Sequence, residues 1–179
     1  KCSAGKWSDQ LALTADSQCT SCIAGRYSAS GDEQISANVC VPCIAGRYSV
    51  SGEAQADVSV CENKCSPGKW SDQKGLTNDD QCTPCVAGRY SAGEGKTDVS
   101  ACDNKCSAGK WSDETGLAAD SQCTSCVAGR YSTAGKGQTD ISVCDNDCSL
   151  GKYSVTTGLA EENGCEPCAL GRWSDKIGQ

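Results

Sequence analysis

The stretch Cys106-Ser-Ala-Gly109-Lys110-Trp111-Ser112-Asp-Glu-Thr-Gly116-Leu-Ala-Ala-Asp-Ser-Gln-Cys123 decides the fold. Gly109 suits a turn of positive φ, or a place where the backbone passes close to a disulfide. Lys110-Trp111-Ser112 reads as a short extended run, and Gly116 marks a reversal. Gly31, Gly52, Gly75, Gly93, Gly135 and Gly158 supply the second glycine elsewhere, whereas the first unit has Leu11-Ala12-Leu13. The returning arm is clearest one unit on, where Thr139-Asp140-Ile141-Ser142-Val143-Cys144 alternates like a strand. Each stretch is thus a two-armed loop with a cysteine at either end, hardly stable alone.

Its opening, Cys-x-x-Gly-basic-aromatic-Ser, occurs nine times, beginning at Cys2, Cys22, Cys43, Cys65, Cys85, Cys106, Cys126, Cys148 and Cys168, at intervals of 20 to 22 residues. A fixed period of this size marks stacked tandem repeats. The repeats run over residues 1–21, 22–42, 43–64, 65–84, 85–105, 106–125, 126–147 and 148–167, with a ninth, 168–179, cut part-way. All nine aromatics belong to the motif: Trp7, Tyr27, Tyr48, Trp70, Tyr90, Trp111, Tyr131, Tyr153 and Trp173. None is left for a private core or a unique pocket. They are expected to pack between repeats, on the glycine, the disulfide or the basic stem of a neighbour. The rival reading is a row of stacking platforms for sugars.

Leu, Ile and Val together are 22 of 179 residues, about 12%, with no Phe and no Met. So few aliphatics cannot offset the entropy of ordering a chain this long. Seventeen cysteines can replace the missing core covalently, since closing a loop of about 18 residues stabilises by roughly 3 kcal/mol. A net charge of −7 with no basic stripe argues against nucleic acid. No run approaches the 18 or so apolar residues of a membrane span. With no initiating Met and no signal sequence, the chain reads as a processed or excised segment.

A second set of cysteines, Cys19, Cys40, Cys61, Cys82, Cys102, Cys123, Cys144 and Cys165, follows the motif set by 17 or 18 residues. Two pairing registers are open. In the favoured one each repeat closes on itself, and only Cys168 is left over, because its repeat stops before a closing cysteine. In the other the Cys-x-x-Cys neighbours pair and orphan Cys2. Crossed pairing between repeats is a third arrangement. Cys19-x-x-Cys22 with Cys40-x-x-Cys43 has the spacing of a zinc ribbon, but such pairs continue at every boundary, three of them with a wider gap, and the chain has no His. No metal, cofactor or redox role is therefore expected.

These residues resemble the ephrin-receptor-like cysteine-rich repeats, which read Cys-x-x-Gly-x-Tyr-Ser, a loop with Gly, then Cys-x-x-Cys. They are also similar to the simplest module of the tumour-necrosis-factor-receptor cysteine-rich domains. The resemblance covers essentially the whole chain. It implies an extracellular, elongated, disulfide-laddered fold with pairing such as Cys22 to Cys40. The chain departs from those modules in lacking the extra cysteines of the larger ones and in using Trp at four of nine aromatic positions.

The expected fold is a small disulfide-rich repeat array, an elongated rod of nine loop or β-hairpin units with little regular secondary structure and no central hydrophobic core. The motif serines Ser8, Ser28, Ser49, Ser71, Ser91, Ser112, Ser132, Ser154 and Ser174 are candidate O-glycosylation acceptors, the plainer reading being a hydroxyl that satisfies local backbone. Asp98, Asp103, Asp140 and Asp145 form no dense calcium loop and read as solvated charge. There is no catalytic constellation, so an enzyme is not expected. Near-identity between distant repeats points to a secreted structural protein, a segment of a longer self-associating fibre or extracellular filament. A ligand-binding stalk or receptor ectodomain is the alternative.

Overall fold

The computed structural model of the protein describes residues 1–29, 34–173 and 178. Eight disulfides close eight repeats: Cys2–Cys19, Cys22–Cys40, Cys43–Cys61, Cys65–Cys82, Cys85–Cys102, Cys106–Cys123, Cys126–Cys144 and Cys148–Cys165. The two members of each Cys-x-x-Cys pair thus lie in different bridges. Cys168 is a free thiol, partly buried.

Every closed repeat holds one antiparallel hairpin of two-residue strands and one 3-10 turn, and no α-helix occurs among the described residues. The basic-aromatic pair is the first strand, as in Lys110–Trp111 and Arg130–Tyr131. The second strand is the spacer between cysteines, Thr124–Ser125 and Asn146–Asp147. Trp111 faces Thr124 and Lys110 faces Ser125, just as Tyr131 faces Asn146 and Arg130 faces Asp147.

The strand expected over residues 139–144 does not form. Ile141–Cys144 is a 3-10 turn, and Asp140 ahead of it accepts a 2.8 Å hydrogen bond from the Ser142 amide. A carboxylate that bonds the chain two residues on draws the backbone into a turn and away from a ladder. The wider spacers are absorbed in the same place: Glu62 and Asp145, each just after a closing cysteine, take helical backbone angles. The extra residue lengthens the turn, and the hairpin register stays unchanged.

The chain divides into two compact units, Lys1–Thr83 with Gly93–Val99, and Pro84–Ala92 with Ser100–Gln179. Neither has a central core. Most of the buried residues are the disulfides, the described motif serines, Leu76 and Leu117. In the first unit Tyr48 packs on a cluster of Cys65, Leu76 and Cys82. In the second Tyr90 packs on Cys106, Leu117 and Cys123. In both cases the aromatic of one repeat covers the disulfide and the leucine of the next.

Candidate functional site: the joint between repeats

Because every repeat carries the same motif, the joint is the feature a uniform array can put to use, and it is built mainly of backbone. In the second unit the Cys126 amide donates to the Gly109 carbonyl at 2.9 Å, the Gly137 amide to Cys106 at 2.8 Å, and the Ser112 amide to Gln138 at 3.0 Å. Corresponding bonds in the first unit are Cys65 to Gly46, Gly75 to Cys43, and Ser49 to Leu76. The first strand is therefore a central one, antiparallel to its own spacer and bridged in parallel to the following loop, as Trp111 is to Gln138. Each bond that joins repeats also satisfies a peptide group that burial would otherwise leave unpaired.

The motif glycine adds a contact with the repeat after next. The Lys110 amide donates to Ser107, and Gly109 sits at the third position of this turn with φ +80°, the type II geometry that asks for glycine. A Cβ on Gly109 would also lie 2.1 Å from the Gly158 carbonyl oxygen, two repeats on. Gly25 approaches Gly75 in the same way in the first unit. The close neighbour of this glycine is thus another backbone and not a disulfide.

The partner residue stands seven before the closing cysteine, as Ala54, Gly75, Gly95, Gly137 and Gly158 do; these five, and Ala12 and Gly116 at the same position of their repeats, are all at positive φ. This corrects the expected set of reversal glycines. Gly52 and Gly93 have ordinary φ, Gly135 meets nothing within 4 Å, and Gly31 lies outside the described residues. The loop is registered from its end, because the 3-10 turn and the closing disulfide fix that end.

The motif serines are also corrected. Ser8, Ser28, Ser49, Ser71, Ser91, Ser112, Ser132 and Ser154 are buried. The hydroxyls of Ser8, Ser49, Ser71, Ser112, Ser132 and Ser154 accept from the amide two residues on, while Ser28 donates to Gln34. A sugar cannot be carried on a hydroxyl enclosed in the joint. Ser174 lies outside the described residues.

The basic residue divides the repeats into two kinds. Where it is Lys, an acid ten residues later clasps it. Asp120 accepts from Lys110 Nζ at 2.7 Å and from the Ser107 amide at 2.7 Å, Asp79 from Lys69 at 2.7 Å and Ser66 at 2.8 Å. Lys6 meets Asp16, and Lys152 meets Glu162, in the same way. The hydrogen bond from Lys6, then that from the Ser3 amide, holds the Asp16 carboxyl down at about 2. At Asp79 and Asp120 burial opposes ionisation, but the bonds from the lysine and the serine outweigh it and keep both carboxyls below the ordinary range.

Where the basic residue is Arg, the acid's place is taken by Ala37, Val58, Val99 or Ile141. The guanidinium turns to a cysteine carbonyl instead, Arg26 to Cys40 at 3.0 Å and Arg47 to Cys61 at 3.4 Å. Arg89 pairs with Asp103, and Arg130 with Asp145 and Asp147. Of the residues considered for calcium, Asp103, Asp140 and Asp145 are thus engaged by Arg89, Ser142 and Arg130. Among the described residues no three His, Cys, Asp or Glu side chains are grouped to hold a metal.

Grooves lie at Arg repeats of the first unit. One of about 280 Å³ is lined by Tyr27, Pro42, Ile44, Arg47 and Val58. Another of about 350 Å³ is lined by Trp7, Thr20, Ile23, Arg26, Ala37 and Asn38. Trp173 is largely exposed, beside Tyr153, Cys168 and Arg172.

Fold and joint together define a disulfide-rich tandem-repeat protein. No known family model matches the chain, and no curated protein does. No helix among the described residues is long and apolar enough to cross a membrane.

Proposed function

We propose that the chain is a secreted structural protein, part of a longer tandem-repeat fibre or extracellular filament that works by self-association and not by catalysis. The observation that carries this reading is the equivalence of the joints. The same backbone bonds recur at successive steps within each unit, so the joint singles out no one repeat. Sixteen cysteines in disulfides support an oxidising, extracellular setting. The resemblance to ephrin-receptor-like repeats supports the same setting and an elongated form.

Electron microscopy of the native material tests the reading. Filaments of uniform width are expected, and isolated particles at every concentration would overturn it. Small-angle scattering of the chain should give a radius of gyration well above the roughly 16 Å of a compact globule this long.

A second reading, a stalk or ectodomain that binds a ligand, is favoured by the grooves beside Tyr27 and Trp7. A partner bound at fixed stoichiometry to one repeat would select it.

A further inference from the structure

The burial of the motif serines directs attention to hydroxyls that the joint leaves outside. Thr20 and Thr124 are exposed and have no hydrogen-bond partner among the described residues. Both lie on the spacer strand directly opposite a tryptophan, Thr20 across from Trp7 and Thr124 across from Trp111. Residues opposed in an antiparallel pair project from the same face, with Cβ atoms about 5 Å apart. Trp70 and Thr83 hold the same two positions in the fourth repeat, and Thr83 is likewise exposed. All three complete repeats with Trp therefore carry Thr opposite it. The five complete repeats with Tyr carry Val41, Asn63, Asn104, Asn146 and Glu166 there instead.

The surroundings of Thr20 supply an independent observation. Trp7 and Thr20 line one groove of about 350 Å³ together with Ile23, Ala37, Arg26 and Asn38. A lining that combines an aromatic ring and aliphatics with a guanidinium and an amide suits a pyranose, whose C–H face seeks apolar cover and whose hydroxyls seek planar hydrogen-bonding groups. Arg26 spends one nitrogen on the Cys40 carbonyl and keeps further N–H groups to offer.

We infer that Thr20, Thr83 and Thr124 are O-glycosylation sites, each carrying a sugar that lies on the tryptophan across the hairpin. The inference rests on the secreted, structural reading. In the modification the threonine Oγ1 displaces a nucleoside diphosphate from C1 of a nucleotide-sugar donor. One Oγ1–C1 bond forms as the C1–phosphate bond breaks, and the hydroxyl proton passes to the base of the transferase. The sugar then covers indole surface that water would otherwise meet, and the spacer strand gains a polar, bulky edge that discourages further strand pairing.

Site-resolved mass spectrometry of the intact native protein, digested with disulfides in place, tests it. Hexose or N-acetylhexosamine mass is expected on Thr20, Thr83 and Thr124, with the buried motif serines bare. Removing the glycans should raise the quenching of tryptophan fluorescence by acrylamide. Bare threonines at these positions would overturn the inference. So would glycosylated threonines whose release leaves the quenching unchanged, since the sugar would then not lie on the ring. Filament formation is scored separately by microscopy, and a chain recovered with reduced cysteines would defeat the extracellular reading before this one.

Discussion

The sixth and seventh repeats, Cys106–Cys123 and Cys126–Cys144, share a hairpin register, a glycine turn and the same set of backbone bonds to their neighbours. Their side chains have little in common. The sixth locks its loop with Lys110, Asp120 and the Ser107 amide, and buries Leu117 against its disulfide. In the seventh, Gln138 stands in the leucine's place, Val127 and Ile141 stand exposed where Ser107 and Asp120 make the clasp, and Arg130 turns toward Asp145 and Asp147. The joint is thus a backbone device that tolerates two unrelated solutions for closing the loop. What side-chain exchange changes is the outer surface, acidic and hydrogen-bonded in one kind of repeat, aliphatic in the other. The two kinds alternate from the fourth repeat to the eighth, whereas the second and third are both of the Arg kind, so the surface chemistry changes along the chain without altering its frame.

The sharpest test of this contrast removes the bridges. Replacing Cys126 and Cys144 by Ala should cost about 3 kcal/mol on loop-closure grounds and open residues 126–147 to protease. The same change at Cys106 and Cys123 should open its repeat less, because the Lys110–Asp120–Ser107 clasp sits beside the bridge. Equal cleavage of the two, mapped by mass spectrometry, would show that the clasp holds nothing. Next in size, Leu117→Ala should destabilise by about 2 kcal/mol or somewhat more, the lower end for a buried leucine. Gln138→Ala at the equivalent position should cost well under about 1 kcal/mol as a surface change. Thermal unfolding of the two variants measures the difference.

Gly109→Ala should cost about 2 kcal/mol or more, from positive φ and collision with the Gly158 carbonyl together. Gly151→Ala, with φ +78° but nothing within 4 Å, should cost only the conformational part, about 1 kcal/mol. Thermal melts giving equal losses would remove the contact between alternate repeats from the energetics.

The smallest effect concerns protons. The Asp120 carboxyl is held below its ordinary value, so its share of stability is present above the unfolded value near 3.9 and is lost as pH falls through the folded one. The Ser107 amide resonance should follow that titration, whereas the Val127 amide should not respond to Asp120. Asp120→Asn should cost about 1 kcal/mol or less, and less still in high salt.

Much of this frame was legible beforehand because cysteine and glycine are punctuation with few meanings. The period, the repeat boundaries and the basic-aromatic strand all follow from Cys-x-x-Gly-basic-aromatic-Ser. Periodicity points to the wrong second strand, since two residues such as Asn146 and Asp147 show none, whereas residues 139–144 alternate by accident. The two kinds of repeat were written plainly, Lys with Asp16, Asp79, Asp120 or Glu162 three before the closing cysteine, and Arg with Ala37, Val58, Val99 or Ile141. Reading them requires aligning repeats from their closing ends, and the same alignment would have found Ala54, Gly95 and Gly137. Contacts such as Gly109 on Gly158 leave no local trace, because they arise from how one joint's rotation adds to the next.

The placement of the bridges also sets how far the chain can be drawn out. Each joins Cα atoms only 5.3 to 5.8 Å apart across 17 or 18 residues, so tension applied at Cys2 and Cys168 bypasses every loop. The covalent path crosses eight bridges and the short spacers, and at about 3.3–3.6 Å per residue it ends near 140 Å, against roughly 570 Å for the same chain reduced. Oxidised, the chain has little reserve length. Reduction would release about fourfold more reach, one loop at a time.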